Sequence, residues 1–542
     1  MKKILPALIF FSLAIAGKAQ ITYQITYSDV GHCDAKSVIQ TSDGSYVFAG
    51  SEVVPGHASD IILVKTDSVG TTIWSAVYSS TRGNDTLIND YGYDVKETSD
   101  GYIICGTTFG SPLDASFSDV LLIKTDFSGS IQWANVYGGG GNDDAFSISL
   151  SNENGYYITG HADDNGSSNN KGFILKIDES GNPVWYRFAN VAGNSRFNNG
   201  TVASDSGFVA TGSIAYPGSV NDLFLVKCSK TGNLEWAHRY SAPGDQQGNS
   251  VVETSNGNYM VAGSTSVNGS VNLTDMLIVE SNSSGAFQWA KTYNHLFEDR
   301  ATGIVRADNS TFGISGYSNG TSVIDTVRLA DFLKIDSTGS ILNSAMFGDF
   351  TRDCFGYNIL HTSDNGFIIG GVSNGLAGPD GAAYIIKTDA TGGSAECQAN
   401  DLSLSSAPLA MNDSAGCDTT SMFPIYDVTS STIPFSISSI SFGVVCIDTS
   451  SVQENNETLH ISVYPNPVNS ELNIDLETAK KHFDQLTVSD EYGRVIMTRK
   501  IAPNDTKVLL SVKSFKPGIY VLELRGDDNL TVKKFVRING QN

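Results

Sequence analysis

The chain has 542 residues, 34 of them basic and 57 acidic, for a net charge of -23. That length exceeds what one small core can organise, so several domains or one large repetitive domain are expected. A surface this acidic repels phosphate backbones and anionic headgroups, which excludes nucleic-acid and direct membrane-surface binding. Glycine is abundant at 54 residues and proline sparse at 14, with 22 Tyr and 26 Phe. Many short strands joined by Gly, Asn, Asp and Ser turns give that profile.

The first stretch reads as a secretory signal over residues 1–19. Lys2 and Lys3 precede the apolar run Ile4–Ala16, and the small residues Gly17 and Ala19 come just before Gln20. Cleavage after Ala19 is expected. No later segment holds the roughly 20 apolar residues a transmembrane helix needs. The reading is of an exported, monomeric protein without a transmembrane segment.

Next comes a repeat. Its clearest copy is Asp119–Gly138, DVLLIKTDFSGSIQWANVYG, two strand-like runs joined by an Asp-Phe-Ser-Gly turn. The turn glycine recurs at Gly70, Gly129, Gly181, Gly232, Gly285, Gly339 and Gly392, a period near 53 residues. Four residues on stand Trp74, Trp133, Trp185, Trp236 and Trp289, all five tryptophans of the chain, with Asn343 in the sixth copy. Three residues before the glycine stands Asp67, Asp126, Asp178, Asp336 or Asp389, replaced by Ser229 and Asn282 in two copies. Upstream in each copy lies a second hairpin signal, such as SVIQTSDGSYVFAGS in Ser37–Ser51. Four short strands per copy and no helix predict a β-propeller of seven blades over residues 20–393. The seventh copy breaks off after Gly393 and lacks its fourth strand. ITYQITY, Ile21–Tyr27, aligns with that strand, Tyr23 falling on the Trp. An N-terminal strand is therefore expected to close the last blade and remove the open edges of the array.

The Asp-x-x-Gly-x-x-x-Trp pattern resembles the tryptophan-docking motif of quinone-dependent dehydrogenase propellers and, more loosely, the Asp-box of sialidases. That resemblance implies architecture and no chemistry: Asp satisfies turn N–H groups, Gly accepts positive φ, and the indole packs between blades.

A site is expected at the rim of the central channel, in the loops that follow each fourth strand. Alignment on the hairpin glycines, with one-residue insertions in copies three and seven, selects Cys33, Asp90, Asp143, Arg196, Gln246, Asp299 and Cys354 as equivalent positions. Asp90, Asp143, Arg196, Gln246 and Asp299 are the ligand-binding candidates. Three carboxylates around an axis could hold a cation or a polar ligand; alternatively each Asp closes its own turn. Cys33 and Cys354 would be neighbours only in a closed ring, where a disulfide would lock the closure. Cys105 and Cys228 read as buried thiols. No Gly-x-Ser-x-Gly, His-Glu-x-x-His or Walker-type loop occurs, and the histidines share no slot. The sequence names no catalytic residue, no metal-ligand set and no cofactor; a structural cation such as Ca2+ has no support beyond the acidic loops.

From residue 394 to 457 the composition shifts to Ser, Thr, Ala and Asp. One or two strands are expected in this partly ordered connector, which would pack on the propeller, and Cys397, Cys417 and Cys446 allow one bridge in three ways. The last segment, 458–542, reads as a small Ig-like β-sandwich of alternating runs LNIDL, LTVSD, RVIMT, YVLEL and KKFVRI. Its blocks are Tyr464-Pro465-Asn466-Pro467, Asn473-Ile474, Asp490-Glu491-Tyr492-Gly493-Arg494, Gly518-Ile519-Tyr520 and Lys533-Lys534-Phe535. This segment resembles the type A C-terminal sorting domain of the type IX secretion system in Bacteroidota. The resemblance implies a route through the periplasm and across the outer membrane of a Gram-negative bacterium, with the secretion machinery as partner. The expected function is non-enzymatic recognition of an extracellular glycan or protein. The alternative is an extracellular glycan- or peptide-degrading hydrolase, or a lyase, using Asp90, Asp143 and Asp299 on the propeller axis.

Overall fold

The computed structural model describes residues 20–28, 31–53, 58–80, 88–109, 117–163, 170–189, 193–216, 218–266, 274–295, 298–319, 327–348, 352–374, 381–394, 399–401, 404–415, 422–423, 429–432 and 435–438. In the C-terminal part it describes 462–464, 468, 470–476, 485–490, 495–502, 507–516, 518–526 and 529–537. The expected signal peptide, Cys397, Cys417, Cys446, Pro465, Asn466, Pro467, Gly493 and Arg494 lie outside these residues. Every helix or strand element among the described residues is a strand. Ile21–Asp448 form one compact unit, and the C-terminal residues from Thr449 belong to another.

The first unit is all-β and propeller-like: seven antiparallel sheets follow one another in chain order. Sheet two shows the plan, with strands Asp90–Thr98, Gly101–Thr108, Asp119–Thr125 and Ile131–Gly138 paired in that order. Its middle strands are buried at every residue, because a neighbouring sheet covers each face. The fourth strand is less covered, with Gln132 exposed and Ile131, Trp133, Asn135 and Gly138 half-buried, as an outer strand should be. The turn before it works as the sequence predicts. Asp126 Oδ1 accepts from Ser128 N at 2.8 Å and Ser130 N at 2.9 Å, and Gly129 takes φ 83°.

Neighbouring sheets are stapled at these turns. Tyr78 Oη donates to the Gly129 carbonyl at 2.7 Å, Tyr137 to Gly181 at 2.7 Å, and Tyr293 to Gly339 at 2.7 Å. Trp74 packs on Gly129, where an added Cβ would meet the indole at 3.0 Å. The indole N–H of Trp185 and Trp236 also donates across, to the Lys230 carbonyl at 3.1 Å and the Ser283 carbonyl at 3.2 Å.

The succession returns to its start. Tyr23–Tyr27 pairs antiparallel with Ala382–Thr388 as the fourth strand of sheet seven, and Tyr23 lies opposite Lys387 as Trp133 lies opposite Lys124. Tyr23, Ile25, Tyr27 and Ile385 share one core with Val38, Phe48 and Ile62 of sheet one. Tyr27 Oη reaches the Gly70 carbonyl at 2.6 Å, repeating the staple across this seam.

The disulfide expected between Cys33 and Cys354 does not form. Both are buried thiols, as are Cys105 and Cys228. Cys33 points into the layer between sheets seven and one, beside Tyr23 and Ile25. Cys354 points into the layer between sheets six and seven, beside Phe332 and Phe347, and its Sγ lies 3.2 Å from Ser373 Oγ. Equivalent positions on successive sheets face successive layers, so a whole sheet separates the two sulfurs.

The connector packs on the sheets as expected but with more strands. Six short strands are described in it, and each adds to the outer edge of a different sheet. Ala399–Asp401 pairs with sheet six, Ser405–Pro408 with five, Asn412–Ala415 with four, Met422–Phe423 with three, Thr429–Thr432 with two and Phe435–Ser438 with one. The segment is a belt that runs around the sheets in reverse chain order. Each belt strand supplies backbone partners to an edge that would otherwise be open.

The C-terminal unit holds a three-stranded and a four-stranded antiparallel sheet. Leu472, Ile474, Leu486, Val488, Val508, Leu510, Leu522 and Leu524 form its core, every second residue of four strands turning inward. No helix of the described residues is long and apolar enough to cross a membrane.

Candidate functional site

The first strands of the seven sheets touch one another in sequence, and that of sheet seven touches that of sheet one. They ring a central space, and the predicted rim positions lie where each first strand begins. Asp90, Gln246 and Asp299 are fully buried there and Asp143 nearly so. Each accepts hydrogen bonds from the crossover that delivers its own strand. Asp90 accepts from Ser80 N at 2.7 Å and Ser80 Oγ at 2.9 Å. Asp143 accepts from Gly139 N at 2.7 Å, Gln246 Oε1 from Ala242 N at 2.9 Å, and Asp299 from His295 N at 2.8 Å. Burial pushes the Asp90 carboxyl up to about 6 and Asp143 to about 8, the nearby Asp119 and Asp163 adding to the latter. Asp299 is raised by burial as well. Each of these groups is held in its own crossover.

Arg196 stands one residue off the expected slot, which Ser195 occupies. In sheets two, three, five, six and seven the slot residue lies two before the β-bulge of the first strand; in sheet four the bulge falls between Phe197 and Asn199. The offset begins in the hairpin turn. Ser206 (φ 67°) takes the left-handed position there, as Asn154 and Asn365 do in sheets three and seven, so Gly207 comes one residue late. Arg196 is exposed and turns to the central space, its guanidinium 4.6 Å from the Phe146 ring.

The bulges themselves furnish side chains that sequence reasoning missed. Three residues after each slot position stand Lys36, Tyr93, Phe146, Asn198, Asn249, Thr302 and Tyr357, where the extra residue of a bulge re-aims its side chain. Each touches a neighbouring sheet. Lys36 Nζ lies 3.7 Å from the Tyr357 ring, and Tyr93 meets Phe146 edge-on at 5.5 Å. Asn198 Nδ2 donates to the Gly248 carbonyl at 2.8 Å, Asn249 Nδ2 to Ala301 at 2.8 Å, and Thr302 Oγ1 to Gly356 at 2.8 Å. One arc of the mouth, over sheets seven to three, is therefore aromatic except for Lys36 of sheet one; the other, over sheets four to six, is amide and hydroxyl. A uniform spacing of three from the acidic slot was the available signal.

Charges at the mouth are mostly matched. Lys36 pairs with Asp34 at 3.0 Å, Arg300 with Glu298 at 3.0 Å, and Arg328 with Asp353 at 3.0 Å. His161 Nε2 lies 3.3 Å from Asp144, while burial draws the imidazole pKa down. Arg196 has no ion pair within reach among the described residues, and desolvation by the surrounding wall lowers its pKa, with Asp144 opposing. The described residues contain no group of three or more His, Cys, Asp or Glu placed to hold a metal ion. At the opposite end of the sheets a cleft of about 440 Å³ lies between the turns of sheets two and three. Its Lys124 is already engaged by Asp100 at 2.6 Å and Gln132 at 3.0 Å.

In the C-terminal unit, Tyr464, Asp490, Lys533 and Lys534 lie on strands, with Asp490 opposite Tyr520. Gly518 opens that Tyr520 strand, and the buried Tyr520 donates its hydroxyl to the Lys516 carbonyl at 2.9 Å.

No curated protein matches the chain. Among solved structures it is similar to the extracellular domain assigned to the one component system BT4673 of B. thetaiotaomicron, at 8% identity and a TM-score of 0.25, covering 95% of this chain and 98% of that one. A second structure, assigned to the hybrid two component system BT4673, is 8% identical with a TM-score of 0.17, covering 95% and 99%. Likeness at that level carries no argument about function. Residues 462–539 match the family of secretion system C-terminal sorting domains. That match marks the protein as a type IX secretion cargo, exported to the cell surface or the medium by a bacterium of the Bacteroidota.

Proposed function

We propose that the exported protein is a non-enzymatic recognition scaffold. In this reading residues 20–393 are a seven-bladed β-propeller, closed by its N-terminal strand and girdled by the 394–457 segment. Residues 458–542 are an Ig-like sorting domain read by the secretion machinery. The mouth of the central channel meets an extracellular glycan or protein. One observation carries the reading: Asp90, Asp143 and Asp299, the carboxylates an axial hydrolase would use, are buried and bonded to their own crossovers. A general acid or base must reach a substrate proton to within about 3 Å, directly or through one water. The side chains that do face the mouth are aromatic rings, amides, matched ion pairs and Arg196. These bind and orient; they do not form a nucleophile–base pair.

The test is a glycan array and a hydrolysis screen on the secreted protein. Binding without product release is expected, and release of sugar or peptide fragments would overturn the reading in favour of a hydrolase. Export is tested separately: removing 458–542 should retain the protein inside the outer membrane, and undiminished secretion would refute the sorting role.

A further inference from the structure

We infer that the ligand of the mouth is an acidic glycan whose carboxylate docks on Arg196; this rests on the recognition reading above. Two features of the mouth point there. The first is its division into an aromatic arc, with Tyr93, Phe146 and Tyr357, and a polar arc, with Asn198, Asn249 and Thr302. A pyranose ring has the same division: an apolar C–H face that packs on aromatic rings, and hydroxyls that suit a polar wall. A peptide would be anchored instead by apolar side chains in pockets, and the polar arc offers amides and a hydroxyl in their place.

The second feature is the charge left over. Lys36, Arg300 and Arg328 are each held by a carboxylate. Arg196 is not. Arg196 is exposed as a residue, its guanidinium carbon lies 4.6 Å from the centre of the Phe146 ring, and the acid that acts on it, Asp144, lies 3.3 Å from His161. A guanidinium carries five donors in a planar fork that suits a carboxylate bidentately. The guanidinium lies over the Phe146 ring at the end of the aromatic arc, so one uronate unit can place its carboxylate on Arg196 and its ring beside the aromatics. The overall charge of -23 repels long polyanions at a distance, which favours a short acidic oligosaccharide or chain end.

Calorimetric titration of the full mature chain with a galacturonic acid pentamer, its methyl ester and pentaglutamate tests this. The pentamer should bind at least about tenfold more tightly than the ester, the scale of a charge-assisted hydrogen bond. Arg196→Gln should abolish that preference, and Arg196→Lys should restore part of it, with thermal midpoints unchanged in both. The inference is overturned if pentamer and ester bind alike, if neither binds, or if the preference survives in Arg196→Gln. Pentaglutamate binding as tight as the pentamer overturns it in favour of an acidic peptide. In the array, capture of neutral glycans alone would sink the acidic class and leave the recognition reading standing; fragment release would sink that reading itself.

Discussion

The outer and inner edges of the same seven sheets follow opposite rules. At the outer edge one device recurs: a tyrosine hydroxyl on the next turn's glycine carbonyl at the seams bridged by Tyr27, Tyr78, Tyr137, Tyr240 and Tyr293. Two seams depart from it: Arg187 Nε reaches the Gly232 carbonyl at 2.7 Å at one, and at the other Phe347 stands at the tyrosine position. At the inner edge the backbone repeats, with a bulge in first strand after first strand, but the side chains on it differ. A lysine over a ring, an edge-on aromatic pair and amide-to-carbonyl bonds occupy equivalent places. Uniform residues on a uniform backbone hold the assembly; varied residues on a uniform backbone are free to recognise something.

That contrast can be broken most severely at the outer edge. Deleting Ile21–Tyr27 removes the fourth strand of sheet seven and the buried Tyr23, Ile25 and Tyr27; no cooperative thermal transition should remain by circular dichroism. Gly129→Val places a β-branched residue at φ 83° with its Cβ 3.0 Å from Trp74. A loss of about 3 kcal/mol in urea unfolding is expected, whereas Thr302→Val at the mouth should cost about 1 kcal/mol or less. Asp143→Asn should act next, and only in one pH range. The folded carboxyl is raised from 3.8 to about 8, so its contribution to stability is full in acid and is lost as pH rises from about 4 through 8. The variant should match the parent at pH 4 and melt higher at pH 9; an equal melting difference at both would refute the cause. Tyr137→Phe, leaving the Gly181 carbonyl without its donor, should cost about 1 kcal/mol. Smallest of all, Arg196→Gln should leave unfolding within about 0.5 kcal/mol of the parent. A larger change would mean that the mouth is structural after all, and the contrast would fail.

Turn chemistry made much of the frame legible in the sequence. Asp126 and Gly129 do what Asp-x-x-Gly predicts, and Tyr23 takes the place opposite a lysine that alignment with Trp133 assigned to it. The belt was not legible, because strands such as Met422–Phe423 or Thr429–Thr432 pair through backbone groups and need no side-chain period. Arg196 was misplaced by one residue because Ser206, a poor marker of positive φ, holds the place that glycine usually announces. The bulge residues escaped notice for a related reason: a bulge is set by backbone register, and nothing in Tyr93 or Asn249 alone declares it.

The belt also has a mechanical meaning. Its strands leave the sheets in the order one to six when the chain is drawn from its C-terminal end, and each joins its sheet by only two to four residue pairs. Tension applied beyond Ser438 loads Phe435–Ser438 first, then Thr429–Thr432, so the pairs yield a few at a time and never all together. The ring beneath is anchored by a strand from the other end of the chain, Tyr23–Tyr27, and takes none of that first load. A pull on the C-terminal end thus meets a tear-strip before it meets the body of the protein.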